Sequence, residues 1–491
     1  MKNDKRGVML TSLSGKAMDE EKQVDHSTEL LSDNVENVAK VNKIGKRHWQ
    51  VLNICFLIFA AYYSRNSLPV AIVAMNDRNS TINSDIPTFN WTNKNVVISA
   101  FFFGYVPGQI ITSWVITKVG VKWFGVCAMA ICSLVGMITP QVAMWFGYKG
   151  VIAVRVIQGL TQGFAFPSVQ HLLGAWVPPN ERAGLGGTVY SARPIATVMC
   201  MLFSGYIAAS WSGWPMVFYS SNIIGLVWCL SFALFSHDTP AAHPSITTKE
   251  RIYIEKSLGS VTIAQKKQKI PWKHILMSGP FWAVSIAQAG FSWCFWTLQT
   301  QTPMYMKYVM KFNIENSGTL SALPYLAQWI ACFMFSFTSD YLLNKNFWSI
   351  TTARKVMNSI GMFIPAIILI FFANTGPEQS TLAVILLIFG VAINGATFCG
   401  FMINQVDLSP NYASILVGIS NGPGQVTGFL APLFVQAIVK DETNPLEWRY
   451  VFYTSGGVYI LSGIVFIVFG SGKVQYWDDL EEHKRKQRIN P

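Results

Sequence analysis

The sequence has little charge for its length. Asp, Glu, Lys and Arg make up only 13% of its 491 residues, whereas 51% are hydrophobic and the mean hydropathy is +0.33. Soluble domains carry about a quarter charged residues, so this composition argues strongly against a soluble enzyme. The charge concentrates in residues 1–48, 237–274 and 473–491. The long apolar stretches between these segments are predicted to be membrane spans.

The sequence also lacks the motifs of several common catalytic and metal sites. It contains no HExxH, GxxxxGK[ST] or CxxC pattern. All eight cysteines lie within apolar runs, and their spacing forms neither a disulfide framework nor a zinc site. We therefore expect no enzymatic activity, no bound metal and no cofactor.

The net charge of +12 is not accompanied by a basic and aromatic nucleic-acid-binding module. We assign the basic residues to membrane topology and expect no nucleic-acid partner. The first 48 residues are polar and lack the basic stretch followed by an apolar run that marks a cleaved signal. They are interpreted as a disordered cytoplasmic tail, and the first span is expected to act as its own insertion signal.

Twelve segments are long and apolar enough to cross a bilayer as helices, which takes about 20 residues. Six precede and six follow a polar central segment, so the sequence predicts an all-α membrane protein with two six-helix bundles at 49–235 and 277–470. The central cytoplasmic loop is placed at 236–276 and a cytoplasmic C-terminal tail at 471–491. The predicted spans are 49–74, 96–117, 123–144, 148–174, 184–209, 215–235, 277–302, 317–341, 354–374, 381–405, 412–438 and 448–470.

The distribution of basic residues predicts the orientation. Most of the 37 Lys and Arg residues fall in the termini, the central segment and the alternate loops. Because cytoplasmic loops carry the excess of Lys and Arg, both termini are placed in the cytoplasm. The first outer loop then contains two glycosylation acceptors, Asn79 in Asn-Ser-Thr and Asn90 in Asn-Trp-Thr.

Glycine pairs at i and i+4 predict close helix packing within three of the spans. The pairs are Gly159 with Gly163, Gly418 with Gly422, and Gly424 with Gly428.

Three arginines lie inside predicted spans, where a charge costs at least about 2.5 kcal/mol. Arg65 and Arg155 fall about 14 and 11 Å from the outer ends of their spans, and Arg193 about 14 Å from an inner end. The first six spans contain no Asp or Glu. The missing counter-charge is therefore interpreted as the cargo, an anion such as a carboxylate or phosphate that suits the arginine fork. The alternative is that an arginine binds backbone carbonyls or snorkels, most plausibly Arg193 beside Pro194.

Uncharged and acidic groups complete the candidate set. Gln162 lies about two turns from Arg155 on one helical face and cannot carry a proton. Trp293 and Asn421 are candidate wall groups of the second bundle, although Gln and Asn in spans bond neighbouring helices about as often. Asp407 and Asp340, near the cytoplasmic face, are coupling or gating candidates. A salt bridge is the more common role for such residues, and it stays open here.

Several segments of the chain resemble the anion:cation symporters of the major facilitator superfamily. This family contains the type I sodium/phosphate cotransporters, sialin and the vesicular glutamate carriers. The resemblance covers about residues 45–477 and implies two bundles around a midplane site that opens alternately to each side. It matches Arg65 and Arg155 to the family's two anion-binding arginines and makes Tyr325 a further candidate. The matching segments are 65–73, 101–105, 155–160, 176–182, 213–215, 243–246, 323–325 and 412–421.

The departures from the family pattern are informative. Gln162 stands where the proton-coupled branches have a glutamate, as in the phosphate branch. Ile98, Gln405 and Phe291 replace two histidines and an arginine of the glutamate carriers. By resemblance, vesicular glutamate loading and proton-coupled sialic acid export are therefore disfavoured.

The sequence leads to one main hypothesis and two alternatives. The first is a monomeric secondary transporter of inorganic phosphate or small organic anions in the plasma membrane, with sodium as the co-transported ion by resemblance. The second keeps the fold but makes transport proton- or potential-driven, for an acidic sugar, glutamate or urate, with an endosomal or lysosomal location open. The third is a membrane receptor or assembly partner that has lost transport.

Overall fold

The structure is a computed structural model that describes residues 45–78, 80–178, 181–264, 270–410 and 412–479. Regular structure in these ranges is helical, with no β-strand. Asn79, most of the predicted N-terminal tail and residues 480–491 lie outside the described residues.

The α-helices are α1 (Lys46–Met75), α2 (Lys94–Val119), α3 (Lys122–Met137), α4 (Thr139–Gln162), α5 (Ala165–Trp176), α6 (Arg182–Ala209), α7 (Gly213–Phe235), α8 (Thr248–Ala264), α9 (Trp272–Leu276), α10 (Gly279–Tyr308), α11 (Ile314–Asn344), α12 (Ile350–Ala373), α13 (Ser380–Asn394), α14 (Phe401–Leu408), α15 (Ala413–Ile438) and α16 (Pro445–Phe469).

All twelve predicted spans fall on helical segments. By length and apolar composition alone, eight helical stretches could cross a membrane, and a bent pair, Lys122–Met137 with Thr139–Trp176, adds a ninth. That pair covers the two spans predicted at 123–144 and 148–174, and α10 and α15 cover those predicted at 277–302 and 412–438. The span at 381–405 is interrupted by a 3₁₀ turn, Gly395–Cys399.

A glycine marks the boundary between the third and fourth predicted spans. Gly147 has φ 60° and ψ −152°, a non-helical conformation that kinks α4. Residues with a side chain rarely adopt this positive φ, so glycine allows the backbone to change direction here. The kink lies between the predicted span ends at 144 and 148, and α4 therefore includes the end of one span and much of the next.

Helix contacts group the chain into two bundles. In the first, α1 packs on α6 and α7, α2 on α4, and α3 on α7; in the second, α10 packs on α15 and α16, and α12 on α13 and α16. The bundles meet along α6 with α11, α2 with α15, and α1 with α10. At the α6–α11 seam, a side chain on Gly318 would place its first carbon 2.6 Å from the Met201 carbonyl oxygen, so glycine permits the close approach.

Polar contacts join the two bundles at the end of the molecule away from both termini, the outer end in the predicted topology. Lys307 Nζ pairs with Asp77 Oδ2 at 2.7 Å, and Lys94 pairs with Glu442. Gln301 Nε2 donates to Asn95 Oδ1 at 2.9 Å. These contacts link the end of α1 and the start of α2 to α10 and the loop before α16. The outer end is therefore closed.

The predicted glycine pairs differ in what they pack against. Among the predicted glycine pairs, Gly159 and Gly163 pack tightly against α2, and Gly424 and Gly428 against Ser292 and Phe102. The prediction is wrong for Gly418 and Gly422 on the inner half of α15, because a side chain there would meet nothing within 4 Å. Contacts between the bundles are thus described at the outer end, where ion pairs and a hydrogen bond close it.

Ion pairs at the inner end stay within each half of the chain. Arg47, at the start of α1, pairs with Glu181 at 2.8 Å and Glu250 at 3.2 Å. Glu250 is on α8, so the central segment predicted as a loop contains a helix that binds the first bundle. In the second bundle Arg354 Nε pairs with Asp407 Oδ2 at 2.7 Å.

Candidate functional site

A proline in α1 prepares the first contact of the site. Pro69 lies inside α1 and has no N–H, so the carbonyl of Arg65, four residues earlier, loses its helical partner. Arg155 Nη2 donates to this carbonyl oxygen at 3.3 Å. The carbonyl-binding role considered for an arginine in a span is thus found for Arg155, which ties α4 to α1.

Close packing of α2 on α4 places aromatic rings beside the arginines. A side chain on Gly159 would place its first carbon 1.9 Å from the Phe101 carbonyl oxygen, and one on Gly163 would lie 2.6 Å from the Gly108 carbonyl carbon. Only glycine allows this approach. It brings the ring of Phe101 within 5.1 Å of the Arg155 guanidinium carbon.

Gln162 links the two arginine-bearing helices. Arg65 Nε donates to Gln162 Oε1 at 3.1 Å, and Gln162 Nε2 donates to the Ala61 carbonyl at 3.0 Å. Arg155 Nη1 donates in turn to Gln158 Oε1 at 3.1 Å. The amide therefore orients Arg65 and supplies no negative charge.

The two deep guanidinium groups retain unused donors. Arg65 is 4% exposed and Arg155 is 3% exposed, yet Arg65 Nη1 and Arg155 Nε have no hydrogen-bond partner. The ion pairs found within the described ranges use other cations, at the two ends of the molecule or on α8. A buried cation without a counter-charge is unfavourable, and this pair is the feature most in need of an anion.

Aromatic rings surround the arginines and form what we call the arginine–aromatic cluster. It consists of three arginines and five rings, Arg65, Arg155, Arg193, Tyr62, Phe101, Tyr105, Phe295 and Trp296. The Arg65 guanidinium carbon lies 4.2 Å from the Tyr105 centroid and 4.4 Å from that of Phe101. Each such contact is worth about 0.5–2 kcal/mol, so the rings lower the cost of the unpaired cations.

Arg193 joins the cluster from α6 and reaches the second bundle. Its guanidinium carbon lies 4.2 Å from the Phe295 centroid and 5.1 Å from that of Tyr62. Unlike the other two arginines it is only half-buried. The structure therefore brings all three predicted arginines together, with Arg193 on the solvent-facing side.

The sequence and the fold match known transporters. The family model for the Major Facilitator Superfamily matches residues 54–432. A Drosophila melanogaster protein named "Putative inorganic phosphate cotransporter" is 35% identical over 465 residues, covering 89% of this chain and 88% of that protein. Human sialin is 33% identical over 453 residues, covering 87% and 90%. The chain belongs to the anion:cation symporter family of the major facilitator superfamily.

A solved structure supports the fold. A bacterial homologue of the human lysosomal transporter Spinster, inward-facing and unoccupied, superposes with a TM-score of 0.67 at 13% identity, over 88% of this chain and 99% of the other. The family assignment and this fold make the chain a multi-pass membrane transporter that works by alternating access, and not an enzyme. Its relatives imply a small anion as substrate.

The rings of this transporter's arginine–aromatic cluster were not predicted from the sequence, although one signal was present. Tyr62 precedes Arg65 by about one turn and so shares its helical face. On α10 the prediction selected Trp293, but that ring packs on Phe434, with centroids 5.5 Å apart. Trp296, three residues later, is the tryptophan that faces the arginines.

The other second-bundle candidates differ in how close they lie to the cluster. Tyr325 packs edge-to-face on Phe295, with centroids 6.0 Å apart, and its buried hydroxyl has no hydrogen-bond partner. Asn421 is half-buried on α15, next to Gly422, which faces open space. Tyr325 thus adjoins the cluster, whereas no described contact joins Asn421 to it.

The acidic candidates lie away from the arginines. Asp407 accepts from Arg354 Nε at 2.7 Å and from Nη2 at 3.4 Å, which is the salt-bridge role considered for it. Asp340 is exposed near the inner end of α11. Asn90 is exposed in the outer loop, as a glycosylation acceptor must be. Within the described ranges, no three His, Cys, Asp or Glu side chains group to hold a metal ion.

One catalytic pattern in the sequence is explained by its position. Residues Gly418–Gly422 match GxSxG, the pattern of a serine nucleophile on a strand-to-helix turn. Here the segment lies inside α15, and Ser420 accepts a hydrogen bond from Gln405 at 2.9 Å. The pattern therefore does not form a nucleophile elbow.

Proposed function

We propose that this transporter carries inorganic phosphate or a small organic anion held between Arg65 and Arg155. The observation that carries the proposal is the pair of nearly fully buried guanidinium groups with unused donors and no carboxylate partner. Fixed carboxylates would neutralise such cations permanently, whereas a mobile anion neutralises them only when it is bound. Gln162 and Arg193 complete the first bundle's side of the site, and Tyr325 and Trp296 adjoin it from the second. Trp293 and Asn421 stay candidates of the second bundle without a described contact to the arginines.

The cycle follows from the state of the two ends. In the state described, the cross-bundle contacts close the outer end, so we propose that a substrate reaches the site from the inner end. An anion entering from outside requires those contacts to open and the inner halves of α6, α11, α2 and α15 to meet. Neutralising Arg65 and Arg155 with an anion lowers the cost of occluding them, which couples binding to rocking of the bundles.

Sodium is the proposed co-transported ion, with inward symport. Gln162 replaces an acidic group with one that cannot be protonated, which disfavours proton coupling at this position. The Drosophila melanogaster relative, named as a phosphate cotransporter, supports an ion-coupled cycle. Asp340 and Asp407 stay coupling or gating candidates near the inner face, although the Arg354 pair gives Asp407 a structural role. We further propose a monomer in the plasma membrane, glycosylated at Asn79 and Asn90.

A proton- or potential-driven organic anion carrier is the second candidate function. The relation to sialin and the aromatic lining of the site favour it, because rings can pack against an organic body that phosphate lacks. An acidic sugar, glutamate or urate is the corresponding substrate, and an endosomal or lysosomal membrane the alternative location.

The test is uptake of radiolabelled phosphate into proteoliposomes containing the full chain, under an inward sodium gradient, a proton gradient or neither. The variants are Arg155→Gln, Arg65→Gln and, as a matched control, Arg251→Gln on the exposed face of α8. We expect sodium-stimulated uptake that is lost in the first two and kept in the third. Uptake of glutamate, urate or sialic acid instead of phosphate would select the second candidate. Transport that survives both arginine variants would refute the site.

A further inference from the structure

Arg65 and Arg193 share two aromatic rings. Their guanidinium carbons lie 4.9 and 5.1 Å from the Tyr62 centroid, and 5.8 and 6.0 Å from that of Trp296. The distance between the two guanidinium carbons is therefore at most the sum of their distances to the Tyr62 centroid. A small molecule held at Arg65 can reach Arg193.

The cations are staggered along the transport axis. Arg65 lies about 15 Å from the outer end of α1, and Arg193 about 16 Å from the inner start of α6, at 1.5 Å per residue. A longer stretch of α6 separates Arg193 from the outer end of the helix than from its inner start, so Arg193 is nearer the inner end of the molecule. Its half-buried state, against the 4% exposure of Arg65, agrees with this order.

The second bundle carries an unused polar group beside the ring of Phe295. Tyr325 is 3% exposed, packs on Phe295, and its hydroxyl has no hydrogen-bond partner. Phe295 is also the ring closest to Arg193. A hydroxyl can donate to an anionic oxygen, so a cation on α6 and a donor on α11 flank the same ring.

We propose that Arg193 and the Tyr325 hydroxyl form a second anion subsite, which makes this transporter prefer small organic substrates with two anionic groups, of the short dicarboxylate class, over those with one. The inference rests on the proposed function, in which Arg65 and Arg155 hold the first anionic group. The second group lies beside Arg193, and the rings of Tyr62 and Trp296 contact the carbon chain between them.

The test compares two ligands of equal length that differ by one charge, succinate and its mono-amide succinamate. Affinities for the purified full chain are measured by calorimetry, with inorganic phosphate as a reference for the first subsite. A charge-assisted contact predicts that succinate binds at least about tenfold more tightly than succinamate. The ratio should fall close to one in Arg193→Gln, fall in part in Tyr325→Phe, and stay unchanged in Arg251→Gln.

The outcomes separate the two proposals. Phosphate and succinamate binding with no preference for succinate overturns the second subsite and leaves the proposed function intact. No binding of phosphate, succinate or succinamate by the wild type overturns both. A preference for succinate over succinamate that survives in Arg193→Gln would come from other residues and would refute the inference. If Arg193→Gln does not fold, Arg193→Lys and Tyr325→Phe decide, since both must lower the ratio.

Discussion

The two ends of the molecule use ion pairs differently. At the outer end Lys94 with Glu442 and Lys307 with Asp77 cross from one bundle to the other. At the inner end Arg47 and Arg354 pair with acidic residues of their own half of the chain. Pairs that cross the seam must break when the bundles rock, whereas pairs within a bundle can persist. The charges at the outer end therefore set the balance between states, and those at the inner end hold each bundle together.

The largest expected effect comes from breaking an inner pair. Arg354 is 7% exposed and also donates to the Cys399 carbonyl at 3.2 Å, so Asp407→Asn leaves a buried cation without its counter-charge. We expect a loss of unfolding free energy of about 3 kcal/mol, measured by thermal unfolding in detergent. Glu255→Gln, in an exposed pair on α8, is the control and should change stability little. A normal unfolding midpoint for Asp407→Asn would contradict the structural role.

Breaking an outer pair should move the balance of states more than the stability. Lys307→Gln removes one cross-bundle contact worth about 1 kcal/mol, which shifts the inward-to-outward ratio about fivefold. The readout is modification of Gly422→Cys by a membrane-impermeant thiol reagent applied from the inner side and located by mass spectrometry. Modification should slow in Lys307→Gln and recover in Lys307→Arg. Equal rates in all three would show that the outer pair does not hold the described state.

The smallest expected effect is a pH dependence at the inner end. Burial opposes ionisation of Glu181, but the hydrogen bond and charge of Arg47, together with the hydrogen bond from Tyr253 and the charge of His48, outweigh it and lower the pKa of the carboxyl group. Its contribution is therefore present above the ordinary carboxyl pKa, about 4.3, and is lost as pH falls through the lowered value. The gap in unfolding midpoint between wild type and Glu181→Gln should be small at pH 7 and shrink further as the pH falls below the ordinary carboxyl pKa. A gap that widens on acidification would contradict this sign.

The sequence predicted the spans and the three arginines because both depend on one strong energy, the cost of charge in hydrocarbon. It did not predict the rings. Whether Trp293 or Trp296 faces the arginines depends on the rotation of α10 against its neighbours. The charge on α10 is confined to Lys307 in its last turn, so the sequence pattern around the two tryptophans does not reveal the rotation. The glycines of α15 show the same limit, since spacing alone cannot say whether a helix face meets a partner or an opening.

The carbonyl freed by Pro69 determines which parts of the protein move together. Arg155 binds that oxygen, so α1 and α4 are fastened through the backbone at the level of the anion. During the cycle we expect these two helices to move as one rigid unit that keeps the anion bound. The rings of Phe295 and Trp296 belong to α10 of the second bundle, so they must move relative to α1 and α4. Substituting Pro69 by a residue with an N–H would restore the helical hydrogen bond to the Arg65 carbonyl and free Arg155, so that α1 and α4 could move independently.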